Sequence, residues 1–179
     1  MKIALPKPWP RFLQEVDSLL NQDVNLHCIG GFVLVALYGA PIATADLDYI
    51  SVRPCEAAKQ IEEIAGQESQ LAGKYKVFIH SAGGVGDFPE DYEDRLQEIK
   101  LGLRNLHLWA LDPYDLVLSK LSRNSPKDRE AVKFMAQKLN LRFDLLYARW
   151  EKEMKPWIAR SDWHDNTLKI VWKSYFATA

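Results

Sequence analysis

The stretch of residues 25–52 most constrains how this chain can fold. An apolar run at 26–29 ends at Gly30-Gly31, and a second apolar segment follows directly. Residues 46–52 are then rich in β-branched and aromatic side chains. This order predicts a strand, a tight glycine turn, a short buried helix and a second strand.

Two aspartates begin the second of these strands. Asp46 and Asp48 are two residues apart, so they project from the same face of a strand, while Leu47 points to the other face. Like charges held this close repel each other, and a divalent metal with oxygen ligands commonly offsets that repulsion. The glycine turn adds backbone N–H groups at a helix N-terminus, which favour an anion such as a phosphate.

Length and composition limit the class of protein. A chain of 179 residues, 47% hydrophobic and 26% charged, is typical of one globular domain, alone or with a small helical appendage. It contains no apolar run of about 20 residues, and prolines interrupt the N-terminal segment where a signal peptide needs its apolar core. With only two cysteines, we expect a cytoplasmic protein without a membrane partner.

The net charge of −1 hides an asymmetry along the chain. Residues 120–160 hold eleven basic and five acidic side chains, a balance of +6, which leaves −7 for the remainder. A basic segment of this kind could meet a polyphosphate or a nucleic acid. A solvated helical face with internal ion pairs is the alternative, and it is the commoner one.

The sequence pattern changes from mixed to helical at Asp112. Before it, we predict helices over 10–22 and 54–65, a polar connection over 67–73, strands over 74–80 and 105–111, and a loop over 81–94. Residues 95–103 fit a helix or a strand. After it, capping signals predict a helix from 112, a second over about 125–139, and two more over 143–154 and 167–176. We therefore expect an α/β core over 1–111 and a helical subdomain over 112–179.

A second group of charged residues follows Asp112. Lys120 and Arg123 are three apart on the predicted helix and share a face, and Lys127-Asp128 opens the next helix. An interhelical salt-bridge cluster is one interpretation. A cationic clamp for the oxygens of a triphosphate is the other.

Other residue types give weaker signals. The four histidines, among them His80, lack metal-ligand spacing and are interpreted as surface or strand residues. Four tryptophans in the helical part are interpreted as packing residues, with base stacking as the alternative. They are Trp150, Trp157, Trp163 and Trp172.

The two charged groups together carry a resemblance. The first motif is G-G-F-x-L-x-x-x-Y-G-x-P-x-x-T-x-D-L-D, from Gly30 to Asp48. The second is D-x-x-x-x-K-L-x-R-N-S-P-K-D-R-E, from Asp115 to Glu130. In both, and over about residues 12–136, the chain resembles the nucleotidyltransferase-like proteins grouped with AbiEii-type toxins of type IV toxin-antitoxin systems, in particular a branch of unknown function.

The resemblance implies a fold and a set of site residues. The fold is the α+β polymerase-β-like nucleotidyltransferase fold, a mixed sheet flanked by helices with a C-terminal helical part. Gly30, Gly31 and Thr44 would bind the nucleotide, and Asp46 and Asp48 would hold Mg²⁺ or Mn²⁺. In the second motif, the resemblance implies that Lys120 and Asp128 are needed for activity. It also implies that Lys120, Arg123 and Lys127 bind the nucleotide.

The chain also departs from the pattern of the resembling proteins. They often have an arginine at the position of Ile42, and an acidic residue is expected at the position of Ala131. They also often supply a third carboxylate from the strand predicted here over 74–80. That strand has none, and Asp87 in the following loop is the nearest substitute.

We expect a metal-dependent nucleotidyltransferase that moves a nucleoside monophosphate from an NTP to a hydroxyl of RNA, such as tRNA, or of a protein. The resemblance implies a toxin restrained by a cognate antitoxin as its setting. One alternative is a catalytically silent relative that binds a nucleotide or a partner protein. Another is a purely structural α/β domain in which Asp46 forms an Asx turn.

Overall fold

A five-stranded mixed sheet organises the first part of the chain. In this computed structural model, which describes residues 5–83 and 87–176, the strand order is β3-β2-β1-β5-β4. Strand β1 runs antiparallel to β2 and parallel to β5, β2 runs parallel to β3, and β4 is antiparallel to β5. The strands are β1 Val24–Ile29, β2 Asp46–Arg53, β3 Phe78–Ser81, β4 Gln97–Glu98 and β5 Leu106–Ala110.

Four helices accompany this sheet. They are α1 Trp9–Leu19, α2 Gly30–Tyr38, α3 Ala57–Ala65 and α4 Gln70–Tyr75. Helix α1 buries Trp9, Phe12 and Val16 on one face, as its helical spacing predicts. At its end the Asp17 carboxylate accepts hydrogen bonds from the backbone N–H groups of 104–106, at 2.7–3.0 Å. This carboxylate fastens α1 to the start of β5.

The polar connection predicted over 67–73 is wrong, because α4 begins inside it. Ser69 caps this helix by accepting a hydrogen bond from the Ala72 N–H at 3.1 Å. The helix ends where Lys76 adopts a left-handed conformation, with φ 59°. The strand predicted over 74–80 therefore begins only at Phe78, as β3. Separately, the helix predicted from residue 54 begins at Ala57.

From Pro113 onward the described chain is mainly helical. The helices of this part are α5 Pro113–Leu118, α6 Pro126–Lys138, α7 Phe143–Glu153 and α8 Ser161–Asn166. The predicted caps are present, because Asp112 accepts from the Tyr114 N–H at 2.9 Å and Ser125 accepts from the Asp128 N–H at 3.2 Å. The chain divides into two units, Met1–Gly84 with Leu96–Leu111, and Val85–Arg95 with Asp112–Ala179.

The last predicted helix is wrong as a single element. Helix α8 precedes a π-helical turn, Thr167–Val171, and a 3₁₀ turn, Trp172–Tyr175. The buried residues Leu168, Trp172 and Phe176 recur every four positions. A spacing of four residues places side chains on one side of a π-helical turn as well as of an α-helix. The sequence pattern therefore did not distinguish a π-helix from an α-helix.

The tryptophans of the helical part divide into two kinds. Trp150 and Trp172 are fully buried, which confirms the packing interpretation for these two. Trp157 and Trp163 are 74% and 50% exposed, so that interpretation is wrong for them.

The long loop predicted over 81–94 contains a 3₁₀ turn at Tyr92–Arg95, and its residues 84–86 lie outside the described part of the chain. The segment that fitted either a helix or a strand contributes the short strand β4. Within the described residues, no helix has the length and apolarity that a bilayer crossing requires. The mixed α+β fold, a mixed sheet flanked by helices with helices at the C-terminal end, is confirmed.

Candidate functional site

The glycine pair lies where β1 passes into α2. Gly30 has φ +78°, and a Cβ added there would stand 2.7 Å from Asp48 Oδ2. A Cβ added at Gly31 would stand 2.9 Å from Thr44 Oγ1. Both separations are shorter than ordinary Cβ contacts, so a side chain at either position would displace Asp48 or Thr44, and at Gly30 the positive φ also favours glycine. The turn and the aspartate strand are therefore immediate neighbours.

Strand β2 presents its two aspartates on its less buried face. Leu47 and Tyr49 are buried, whereas Asp46 and Asp48 are partly exposed. The antiparallel pairing of β1 with β2 places Asp48 opposite Ile29, the residue before the glycine pair. The alternation of faces predicted for this strand is thus present.

Each aspartate has a polar neighbour. Thr44 Oγ1 donates a hydrogen bond to Asp46 Oδ1 at 2.7 Å and also lies 3.1 Å from the Asp46 carbonyl oxygen. The Nδ1 atom of His80 lies 3.2 Å from Asp48 Oδ1. His80 comes from β3, where the parallel register pairs it with Asp48. The sequence interpretation passed over this histidine, and only the register of β3 against β2 identifies it.

The N-terminus of α2 opens at this turn. Ile29 is the residue at the N-cap position, and its side chain makes no capping hydrogen bond. The first N–H groups of a helix lack acceptors within the helix and carry the positive end of its dipole. A nine-residue helix that begins with two glycines can therefore present backbone N–H groups to a phosphate.

The donor set here fits a magnesium-type site. Among residues 5–83 and 87–176, no three His, Cys, Asp or Glu side chains converge closely enough to hold a metal ion by themselves. Mg²⁺ usually binds one or two carboxylates and takes its other ligands from water and substrate phosphates. Asp46 and Asp48, beside a turn suited to phosphate, match that description.

The second predicted group forms a cluster of ion pairs in the second unit. Arg123 donates two hydrogen bonds to the Asp128 carboxylate, at 2.5 and 2.7 Å, and Lys120 Nζ lies 3.7 Å from it. The Ser125 hydroxyl donates a further bond at 2.6 Å. Burial alone would raise the pKa of Asp128, but the hydrogen bonds from Arg123 and Ser125 and the charge of Lys120 hold this pKa well below its ordinary value.

The prediction that Lys120 and Arg123 lie on one helix is wrong. Helix α5 ends at Leu118, and both residues occupy the turns that follow it. In these turns Lys120 and Leu121 donate backbone hydrogen bonds to carbonyls three residues earlier. Both basic side chains nevertheless reach Asp128. Lys127 is exposed in the first turn of α6.

A second ion-pair network, centred on Asp115, was missed from the sequence. Arg95 donates to both oxygens of Asp115, at 3.0 and 3.1 Å, and to Glu153 at 2.6 Å. Arg149 bonds Asp115 at 2.7 Å and Asp112 at 2.5 Å. Asp115 is fully buried, and that burial raises the pKa of its carboxyl despite the arginine contacts, which lower it. This network ties the 87–95 segment to α5 and α7.

Asp87, the nearest substitute for a third carboxylate, belongs to the second unit and accepts a hydrogen bond from the Ser122 hydroxyl at 2.5 Å. The position on β3 that faces Asp48 holds His80 instead.

Comparison with known proteins identifies a family model that matches the chain. No curated protein and no solved structure matches the chain. One family model matches residues 11–179, which is nearly the whole sequence. Both motifs lie inside that match. The chain therefore belongs to the family described as nucleotidyltransferase of unknown function (DUF6036).

Proposed function

We propose that this protein is a metal-dependent nucleotidyltransferase that moves a nucleoside monophosphate from an NTP to a hydroxyl of RNA, such as tRNA, or of a protein. One observation carries the proposal. Gly30 and Gly31 lie against the side chains of Asp48 and Thr44 at the start of α2, in a chain that belongs to a nucleotidyltransferase family. This arrangement supports a phosphate site and a pair of carboxylates at the same place.

Each group of this site has a proposed role. The backbone at Gly30-Gly31 and the N-terminus of α2 would bind the triphosphate, with Thr44 beside them. Asp46 and Asp48 would hold Mg²⁺ or Mn²⁺. When bound, such a cation neutralises charge on the phosphate oxygens and the pyrophosphate leaving group, and it favours ionisation of the attacking hydroxyl.

The reaction balances without a further co-reactant. The acceptor oxygen forms a bond to the α-phosphorus of the NTP, and the bond from that phosphorus to the oxygen bridging to the β-phosphorus breaks. Pyrophosphate leaves with that bridging oxygen, and the hydroxyl proton passes to solvent. The contribution of this chain is to position the phosphates and to offset their charge.

The residues of the second motif enter the proposal through the resemblance. We propose that Lys120 and Asp128 are required for transfer and that Lys120, Arg123 and Lys127 bind the nucleotide. The Asp128 side chain is only 1% exposed and its oxygens accept from Arg123 and Ser125. Those contacts favour a positioning role for Asp128, with Lys120 and Arg123 as the groups it holds.

The test is transfer of label from each α-³²P-labelled NTP to total tRNA and to protein, with Mg²⁺ or Mn²⁺ present. We expect Asp48→Asn and Asp46→Asn to lower the rate at least about 100-fold, because each removes a carboxylate that the site needs. Asp23→Asn is the matched control, since Asp23 lies in the same unit with its side chain 74% exposed. Full transfer by Asp48→Asn would show that the assignment is wrong. Tight NTP binding without any transfer would instead support a silent nucleotide-binding relative.

We propose a toxin restrained by an antitoxin as the biological setting. Expression of the wild-type protein in a bacterial host should then arrest growth, and Asp48→Asn should relieve the arrest. Equal arrest by both proteins would separate toxicity from nucleotidyl transfer. Co-expression of the neighbouring gene of the operon tests the antitoxin, which should restore growth.

A further inference from the structure

We propose that His80 is a nitrogen ligand of the divalent cation at Asp48, and that this site consequently takes Mn²⁺ in preference to Mg²⁺. The inference rests on the proposed function, since it concerns the metal of the same site. It adds a residue that neither motif contains.

The sheet register places His80 on the correct face. Strands β2 and β3 are parallel and pair Asp46 with Phe78 and Asp48 with His80. Paired residues of neighbouring strands project to the same face of a sheet. Ile79 points the other way and is 1% exposed. His80 therefore shares the face of the two aspartates.

The separation of the two side chains fits a shared cation. His80 Nδ1 and Asp48 Oδ1 are 3.2 Å apart. Two ligands bound at right angles to one cation, each at about 2.1–2.2 Å, stand roughly 3.0 Å apart. The pair can thus bind a common ion with little movement. A hydrogen bond between the two groups has a similar length, so the experiment below must distinguish ligation from positioning.

Access and orientation also suit a cation at this pair. The side chains of His80 and Asp48 are 55% and 25% exposed. Asp48 Oδ1 faces His80, while Oδ2 lies next to Gly30. The Asp48 carboxylate therefore lies between His80 and the glycine turn proposed to bind phosphates, and these residues would hold the cation.

The donor chemistry determines which cation is preferred. Mg²⁺ takes oxygen ligands and loses water reluctantly. Imidazole nitrogen is a better donor to first-row transition ions, and carboxylates also suit Mn²⁺. One imidazole beside the Asp48 carboxylate therefore shifts selectivity from Mg²⁺ towards Mn²⁺. The two carboxylates of the first motif would not cause this shift by themselves.

The experiment measures Mn²⁺ and Mg²⁺ binding directly, in the presence of a non-hydrolysable NTP analogue. The proteins are the wild type, His80→Ala, Asp48→Asn and, as matched control, His107→Ala. His107 lies in the same unit, 3.6 Å from the exposed Asp23. We expect His80→Ala to weaken Mn²⁺ at least about tenfold and Mg²⁺ much less, and His107→Ala to change neither.

Pulsed electron paramagnetic resonance of bound Mn²⁺ separates ligation from positioning. Wild-type protein should show nitrogen modulation from a bound imidazole, the pattern should change on ¹⁵N-histidine labelling, and His80→Ala should lose it. A wild-type signal without histidine nitrogen, or unchanged Mn²⁺ affinity in His80→Ala, overturns the inference.

If the inference about His80 is overturned but Asp48→Asn abolishes metal binding, the proposed function still stands. If Asp48→Asn also binds Mn²⁺ as tightly as the wild type, the metal site itself is assigned wrongly. A thermal unfolding curve of each variant identifies any loss of fold.

Discussion

The two units use carboxylates in opposite ways. In the second unit, Asp115 and Asp128 are 0% and 1% exposed; two arginines bond Asp115 and one arginine bonds Asp128. In the first unit, Asp46 and Asp48 remain partly exposed, with Thr44 and His80 as polar neighbours. A buried carboxylate that arginines fully engage holds helices together. A partly exposed pair beside a glycine turn can be reached by a ligand from solvent.

The contrast also concerns the cost of each arrangement. A buried charge is tolerated only when it is paired and hydrogen-bonded, so removing one partner leaves the others uncompensated. Two neighbouring carboxylates on a partly exposed face repel each other, and a bound cation would offset that repulsion. We therefore expect substitutions in the second unit to lower stability, and substitutions at Asp46 and Asp48 to affect binding and transfer.

The largest effect on stability is expected for Asp115→Ala. This change leaves Arg95 and Arg149 without their shared carboxylate in a buried setting, which should cost about 3–5 kcal/mol of unfolding free energy. Urea unfolding measures this cost. Glu130→Ala on the exposed surface of α6 is the control and should stay within about 0.5 kcal/mol of the wild type. Equal stability of both variants would contradict the structural role of the Asp115 network.

Gly30→Ala sharpens the comparison from the other unit. It forces a side chain into φ +78° and within 2.7 Å of Asp48 Oδ2, and should cost about 1–2 kcal/mol. It should also weaken nucleotide binding, because Asp48 must move. Gly73→Ala is the matched control. Gly73 lies in α4 with no atom within 4 Å of an added Cβ, so this change should be neutral or stabilising by up to about 1 kcal/mol. The same loss of stability and of nucleotide affinity in both variants would show that the conformation of Gly30 and its contact with Asp48 are not the cause.

A smaller effect is expected for Ser125→Ala. Ser125 both caps α6 and donates to Asp128, and loss of an N-cap hydroxyl costs about 1 kcal/mol. Thermal unfolding should show the lower stability, and the transfer rate at a temperature where the variant is folded should fall only if Asp128 positions Lys120 and Arg123. Unchanged stability would mean that the capping box does not hold this cluster.

The smallest effect is a dependence on pH. The folded pKa of Asp128 lies below its unfolded value of about 3.9. Its stabilising contribution is therefore complete above that value and disappears as pH falls through the folded pKa. The stability difference between the wild type and Asp128→Asn should narrow between about pH 5 and pH 2. A constant difference over this range would mean that Asp128 is not held charged by its neighbours.

Local features of the fold were predictable from the sequence. The alternation around Leu47, the glycine turn before α2, and the caps at Asp112 and Ser125 each depend on residues within four positions of one another. Periodicity and capping rules act at that range. The C-terminal helices follow from these elements taken in order, whereas the mixed sheet was predicted from the resemblance.

Features that depend on distant residues were not predictable. Arg95 and Arg149 bond Asp115 from 20 and 34 positions away, and neither falls in a local charge pattern. The pairing of His80 with Asp48 depends on the register of β3 against β2. The predicted strand over 74–80 already contained His80, but no local pattern gives the register of one strand against another. A neighbour of the candidate metal site was therefore missed.

The most direct test of the central claim is calorimetric titration of the protein with each NTP in the presence of Mg²⁺ or Mn²⁺. The account predicts metal-dependent binding of at least one NTP by the wild type and by Asp23→Asn, and binding at least about tenfold weaker by Asp48→Asn, with all three proteins equally stable. Equal affinity of Asp48→Asn and the wild type would contradict the claim that the partly exposed aspartates of the first unit are the ligand-binding ones.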